Sequence, residues 1–157
     1  MFPQASDRVN WRYPEDGLLQ ARGVVPEAEF RDPQDLDKHN VRSLLCVKHG
    51  RSTLGTFGRV NGLESKTRHY GEDGVHQDSI EIVVAGYDVR SREYRNFSDA
   101  GDSGSIVLGR DGRIIGLLTG GAGPAEKIDL SYITPYWWIE KELKDKFPGC
   151  FLYDIVE

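Results

Sequence analysis

Several absences narrow the reading of this chain. It has only two cysteines, Cys46 and Cys150, too few for a disulfide framework. No apolar run approaches the roughly 20 residues that a membrane-spanning helix needs. The start, Met1-Phe2-Pro3-Gln4-Ala5-Ser6-Asp7, has neither a basic region nor an apolar one, so no secretory signal is read there. No Lys/Arg cluster offsets the net charge of -5, which argues against nucleic acid or an anionic membrane as a partner. The histidines and cysteines are scattered, and Gly120-Gly121-Ala122-Gly123 lacks the Lys-Ser/Thr continuation of a phosphate loop. A metal or phosphate protein is therefore the weakest reading, and no cofactor is expected. The reading is cytoplasmic, with both thiols free, while a single Cys46–Cys150 bridge stays open as an alternative. No internal repeat or low-complexity segment interrupts the chain.

What is present is a turn-rich globular composition: 157 residues, 38% hydrophobic, 29% charged, with 18 glycines. The length suits one domain with a real core. The chain is organised around Phe97-Ser98-Asp99-Ala100-Gly101-Asp102-Ser103-Gly104-Ser105. A serine between glycines, preceded by an aspartate, stands ahead of the apolar run Ile106-Val107-Leu108. A second apolar run, Ile114 to Thr119, follows the turn Gly109-Arg110-Asp111-Gly112. This layout predicts a sharp turn that presents Ser103 at the lip of an antiparallel hairpin. Gly101 can adopt φ angles denied to other residues, so its N–H can align with that of Ser103. A hydroxyl beside two such amides is a nucleophile next to an oxyanion hole, with Gly101 and Ser103 as the donors.

Residues 1–40 carry four prolines and little regular pattern. They read as an extended arm or linker, clipped on through Leu18-Leu19 and Val24-Val25, with at most a turn of helix near Asp35-Leu36-Asp37. Trp11 and Tyr13 read as arm anchors. Residues 41–157 read as a β-barrel with a terminal helix. Strands are expected at Val41 to Lys48, at 50–60 with an extension over 63–70, at 79–84, at 104–109, at 113–119 and at 128–133. Asp88 to Arg95 reads as a charged loop. Trp138, Ile139, Leu143 and Phe147 recur at helical spacing after Pro135, predicting a C-terminal helix packed on the barrel through that face.

Gly101-Asp102-Ser103-Gly104-Ser105 resembles the nucleophile loop of the chymotrypsin/trypsin-like serine peptidases. Val47 to Thr56 is similar to the opening hairpin of the second barrel in that family. The resemblance implies an all-β fold: a single six-stranded Greek-key barrel equivalent to the C-terminal half, with Ser103 as catalytic nucleophile. It also implies that Thr119, Gly120 and Gly121 form the edge that pairs with the substrate backbone. Phe97, six residues before the serine, matches the base of the primary pocket and implies a small or apolar preference. Asp102 reads as a structural carboxylate that bonds nearby amides. Secreted members usually carry a disulfide beside the nucleophile, whereas here Asp99 and Ala100 occupy that stretch. A wider resemblance runs through Tyr13-Pro14, Leu18-Leu19, Arg22-Gly23, Pro26, 47–60, Phe97-Ser98, 116–123 and 132–135. It links the chain to uncharacterised trypsin-like proteins of basidiomycete fungi, in which a longer N-terminal portion normally comes first.

A serine nucleophile needs a base, and the base needs an orienting carboxylate. His39, His49, His69 and His76 all precede Ser103, which disagrees with the order in α/β-hydrolases. None stands in the family's usual setting, and no aspartate has a clear catalytic counterpart. Residues 1–40 are too few for a second barrel. The chain is thus expected to be truncated or degenerate, or to pair with a half-domain that supplies His and Asp. The leading expectation is a serine-type endopeptidase-like domain acting on peptides or proteins. The alternative is a non-catalytic module that binds them.

Overall fold

Alternation along the strands explains the sheet. In β1 (Leu44–Gly50), Leu44, Cys46, Lys48 and Gly50 share the inward phase. β1 pairs antiparallel with β2 (Leu54–Tyr70), from Leu44↔Val60 to Gly50↔Leu54. β2 turns into β3 (His76–Gly86), and their ladder runs from Gly58↔Gly86 to Tyr70↔His76. After β3 the chain returns beside β1 as β4 (Ile106–Gly109), with Lys48 opposite Val107. β5 (Ile114–Ala122) and β6 (Leu130–Pro135) complete a closed barrel in the order β1-β2-β3-β6-β5-β4. Three hairpin-linked strands with the fourth returning beside the first make a Greek key. This computed structural model describes residues 21–36, 40–71, 73–86, 96–122 and 130–152, without the His69 side chain.

The core fills the barrel with Leu44, Cys46, Val60, Val84, Phe97, Val107, Ile115 and Ile133. The arm contributes as well. Val24 forms a parallel bridge to Ile114, and Val25 N–H donates to Ile114 O at 2.9 Å. Val25 and Phe30 are buried in the core, and Arg113 grips both Glu29 oxygens at 2.6 and 2.7 Å. The arm's helix, α1 (Glu27–Arg31), lies upstream of the Asp35-Leu36-Asp37 stretch where a turn was expected. Pro26 stands at its start, Glu27 and Glu29 suit the positive end of the helix, and buried Phe30 holds it down. Leu36 instead bridges Arg42.

Other boundaries moved for similar reasons. The two pieces expected in β2 form one 17-residue strand, with a register shift between Asn61 and Glu64. β3 begins at His76 because its ladder with β2 reaches the turn. The C-terminal helix, α2 (Tyr136–Lys146), follows Pro135 as expected. Its expected inner face is largely uncovered, however: Trp138 and Phe147 are 46% and 62% exposed, Leu143 is exposed, and Ile139 is half-buried. The helix meets the barrel at β5 and β6, and Trp137 is the side chain that packs on the core. Leu18-Leu19, Trp11, Tyr13, His39 and the loop at 88–95 lie outside the described residues.

Candidate active site

The segment 99–105 uses most of its amides internally. Asp99 N–H donates to Asp102 Oδ2 at 3.2 Å, and Ala100 N–H to Asp99 Oδ1 at 2.7 Å. Asp102 N–H reaches Asp99 O, Gly104 N–H reaches Leu118 O, and Ser105 N–H reaches Asp102 O, at 3.0, 2.8 and 3.0 Å. Two amides are left. Among the described residues, Gly101 N–H and Ser103 N–H donate to no protein acceptor. Both residues are exposed. Gly101 has φ +96, in the region that strains a side chain, so glycine is needed for this bend. A pair of unbonded donors flanking a serine hydroxyl is equipped to receive an anionic oxygen.

The Ser103 hydroxyl is exposed and donates to Thr119 O at 3.5 Å, the long limit of a hydrogen bond. Beyond that carbonyl the sheet is open. β4 pairs with β5 only as far as Ile106↔Leu117, whereas β6 follows β5 on to Gly121↔Ser131 and Ala122↔Leu130. Thr119, Gly120 and Gly121 therefore form an edge with a strand on one side only among the described residues. Thr119 and Gly121 are exposed and Gly120 is half-buried. The Thr119 hydroxyl is turned to Tyr132 O at 3.1 Å.

Beneath the loop lies Asp102, with no exposed surface. Its Oδ1 accepts from Ser52 N–H at 2.6 Å and Thr53 N–H at 3.4 Å. Its Oδ2 accepts from Lys48 Nζ at 2.9 Å and from the Thr53 hydroxyl at 2.7 Å. Lys48 is equally buried and also donates to Thr53 Oγ1 and Leu54 O. Burial opposes the charge on Asp102, but the bonds from Thr53, Lys48, Ser52 and Asp99 outweigh it and hold the carboxyl well below its usual range. Asp102 is thus a carboxylate bonded to nearby amides, as its sequence setting suggested.

Phe97 is fully buried in the core, with its ring against Gly58, and its carbonyl accepts from the Thr56 hydroxyl at 2.6 Å. It is separated from solvent, in contrast to Thr119 and Gly121. Among the histidines, His49 is exposed on β1, and His76 is exposed and stacks edge-on against Tyr70 at 4.7 Å. No described imidazole is bonded to Ser103. Cys46 is buried with its thiol pushed up by desolvation, and Cys150 is exposed; both are free. Among the described residues no His/Cys/Asp/Glu group is arranged for a metal ion, and no helix is long and apolar enough to cross a membrane.

Sequence reasoning missed Lys48, Ser52 and Thr53. The available signal was phase: Lys48 falls in register with Leu44 and Cys46, so a strand there must carry its ammonium inward and needs a carboxylate to meet it.

Fold and loop together define a six-stranded Greek-key barrel that carries an exposed serine at the entry to its fourth strand. Among solved structures, the chain is similar to a chymotrypsin of Cellulomonas bogoriensis, with 17% identity and a TM-score of 0.45. The likeness covers 66% of this chain and 46% of that one, so this chain spans a little under half of that protein's length. No protein-family model matches the chain, and neither does any curated protein.

Proposed function

We propose that this chain is a serine-type endopeptidase-like domain with Ser103 as nucleophile and the Gly101 and Ser103 amides as oxyanion hole. The observation that carries this reading is the pair of unbonded amides at either side of a buried, fully bonded Asp102, next to an exposed hydroxyl. In the reaction, Ser103 Oγ attacks the substrate carbonyl carbon and its proton passes to a base. The C–N bond breaks, the amine leaves with that proton, and water later releases the acyl group. The open edge at Thr119, Gly120 and Gly121 would hold the substrate backbone as an added strand. Phe97, buried below, would set the floor from beneath and favour a small or apolar side chain. The base and its orienting Asp come from a second half-domain in this reading. The resemblance to basidiomycete trypsin-like proteins belongs to the same proposal, as does the expectation of a cytoplasmic chain.

A fluorophosphonate probe tests the reading. Labelling of the wild type, lost in Ser103→Ala, is the expected result. A folded wild type that stays unlabelled, alone and with its partner half, would overturn it.

A second reading, a non-catalytic module that binds peptides along the same edge, is favoured by one observation: the described surroundings of the Ser103 hydroxyl offer only a carbonyl. Peptide binding that survives Ser103→Ala without any labelling would support it.

A further inference from the structure

We propose that Lys48 is a positioning residue for the Ser103 loop. In this assignment, its buried ammonium, locked to Asp102 and to the turn Arg51–Leu54, holds residues 99–104 in the conformation that leaves the Gly101 and Ser103 amides free. The consequence for reaction rate rests on the reading of Ser103 as nucleophile; the conformational part stands without it.

The geometry carries the inference in three steps. First, Asp102 lies between the two free amides, so fixing its side chain fixes the peptide on both sides of it. Its two oxygens receive five donors: Ser52 N, Thr53 N, Thr53 Oγ1, Asp99 N and Lys48 Nζ. Second, the ammonium is as fully satisfied as the carboxylate. Its three protons meet Asp102 Oδ2, Thr53 Oγ1 and Leu54 O. The Thr53 hydroxyl accepts from the ammonium and donates to the carboxylate, so it joins the two charges. Third, the turn is bent to serve this pair. Leu54 has φ 56, a strained value for a residue with a side chain. The Leu54 carbonyl that accepts from Lys48 belongs to this strained residue. Ser52 Oγ adds a direct clasp to Ala100 O at 2.6 Å.

The space is filled as well. A Cβ at Gly50 would fall 2.4 Å from Asp102 Oδ1 and 3.0 Å from Lys48 Nζ, so glycine at 50 is what lets the pair sit against β1. Because Lys48 is part of the barrel wall, opposite both Thr56 and Val107, the countercharge cannot drift away from the loop.

The test uses the full chain and removes both charges, so that no orphan ion is left buried. The double variant Lys48→Met/Asp102→Asn is compared with the wild type and with Thr53→Val, which keeps both charges and removes the hydroxyl between them. Two readouts are taken on protein shown to be folded by circular dichroism. One is the amide shift and hydrogen exchange of Gly101 and Ser103. The other is the rate of fluorophosphonate labelling. The expected result is altered shifts and exchange at those two amides, with labelling slowed by about 100-fold or more, the size of losing one oxyanion donor. Thr53→Val should move both readouts in the same direction by less, and it decides the matter if the double variant fails to fold. Unchanged amides and wild-type labelling in folded variants would overturn the assignment. If the wild type is labelled neither alone nor with its partner half, the peptidase reading falls, and the amide readout alone decides the role of Lys48.

Discussion

The two ends of β2 hold oppositely charged pairs in contrasting settings. Where β2 leaves the β1 turn, Lys48 and Asp102 meet at 2.9 Å with no exposed side-chain surface. Near its far end, Arg68 and Asp78 meet at 2.6 Å with 47% and 35% of their side chains exposed. The second pair has the better fork, because Arg68 donates to both carboxylate oxygens. Yet water screens it, and either partner can be solvated if the other is lost. The first pair has no such escape, because each charge depends on the other and on the Thr53 hydroxyl. Burial rather than geometry decides which pair constrains the fold.

The largest effect is expected at the buried end. Lys48→Met alone strands a buried carboxylate and should cost about 3–5 kcal/mol of stability, read from urea unfolding. Adding Asp102→Asn should restore part of that loss, since Asn still accepts from Ser52. A double variant no more stable than Lys48→Met would contradict the pairing. Gly50→Ala should cost about 1–3 kcal/mol, because the added methyl overlaps the Asp102 carboxylate.

A pH series sharpens the contrast. Asp102 is held below its reference value of 3.8, so its contribution is complete above that value. It is lost as the pH falls through the depressed folded value, because the unfolded chain then binds the proton more readily. Urea midpoints should therefore drop more steeply below pH ~4 in the wild type than in Lys48→Met/Asp102→Asn. Parallel curves would remove Asp102 as the source. The smallest effect is expected at the exposed end: Arg68→Ala should leave the urea midpoint within experimental scatter.

Much of the barrel was readable in the linear pattern. Alternation at 79–84 and the glycine turns at 71–74 and 109–112 mark hairpins through local chemistry alone. Pro135 followed by helical spacing did the same for α2. The helix's covered face was not readable, because which of Trp137 and Trp138 turns inward depends on how the helix leaves β6. The serine loop was legible as a motif through its glycines. Its supporting layer was not, because Lys48 and Asp102 are 54 positions apart and meet only when β4 returns beside β1. In the arm, Val24-Val25 was legible as a clip onto the barrel and Ile114 receives it, whereas Phe30 was not, because it is buried only once α1 lies against β2.

Linear order was enough for the elements that depend on neighbours within a few positions: where strands turn, where the helix begins, and that position 101 can take a positive φ. Which amides of the loop remain unbonded, and what holds them so, came from the folded barrel. Those outcomes need partners from β1, the β1–β2 turn and β5 at once, and barrel closure is what brings those segments within bonding distance.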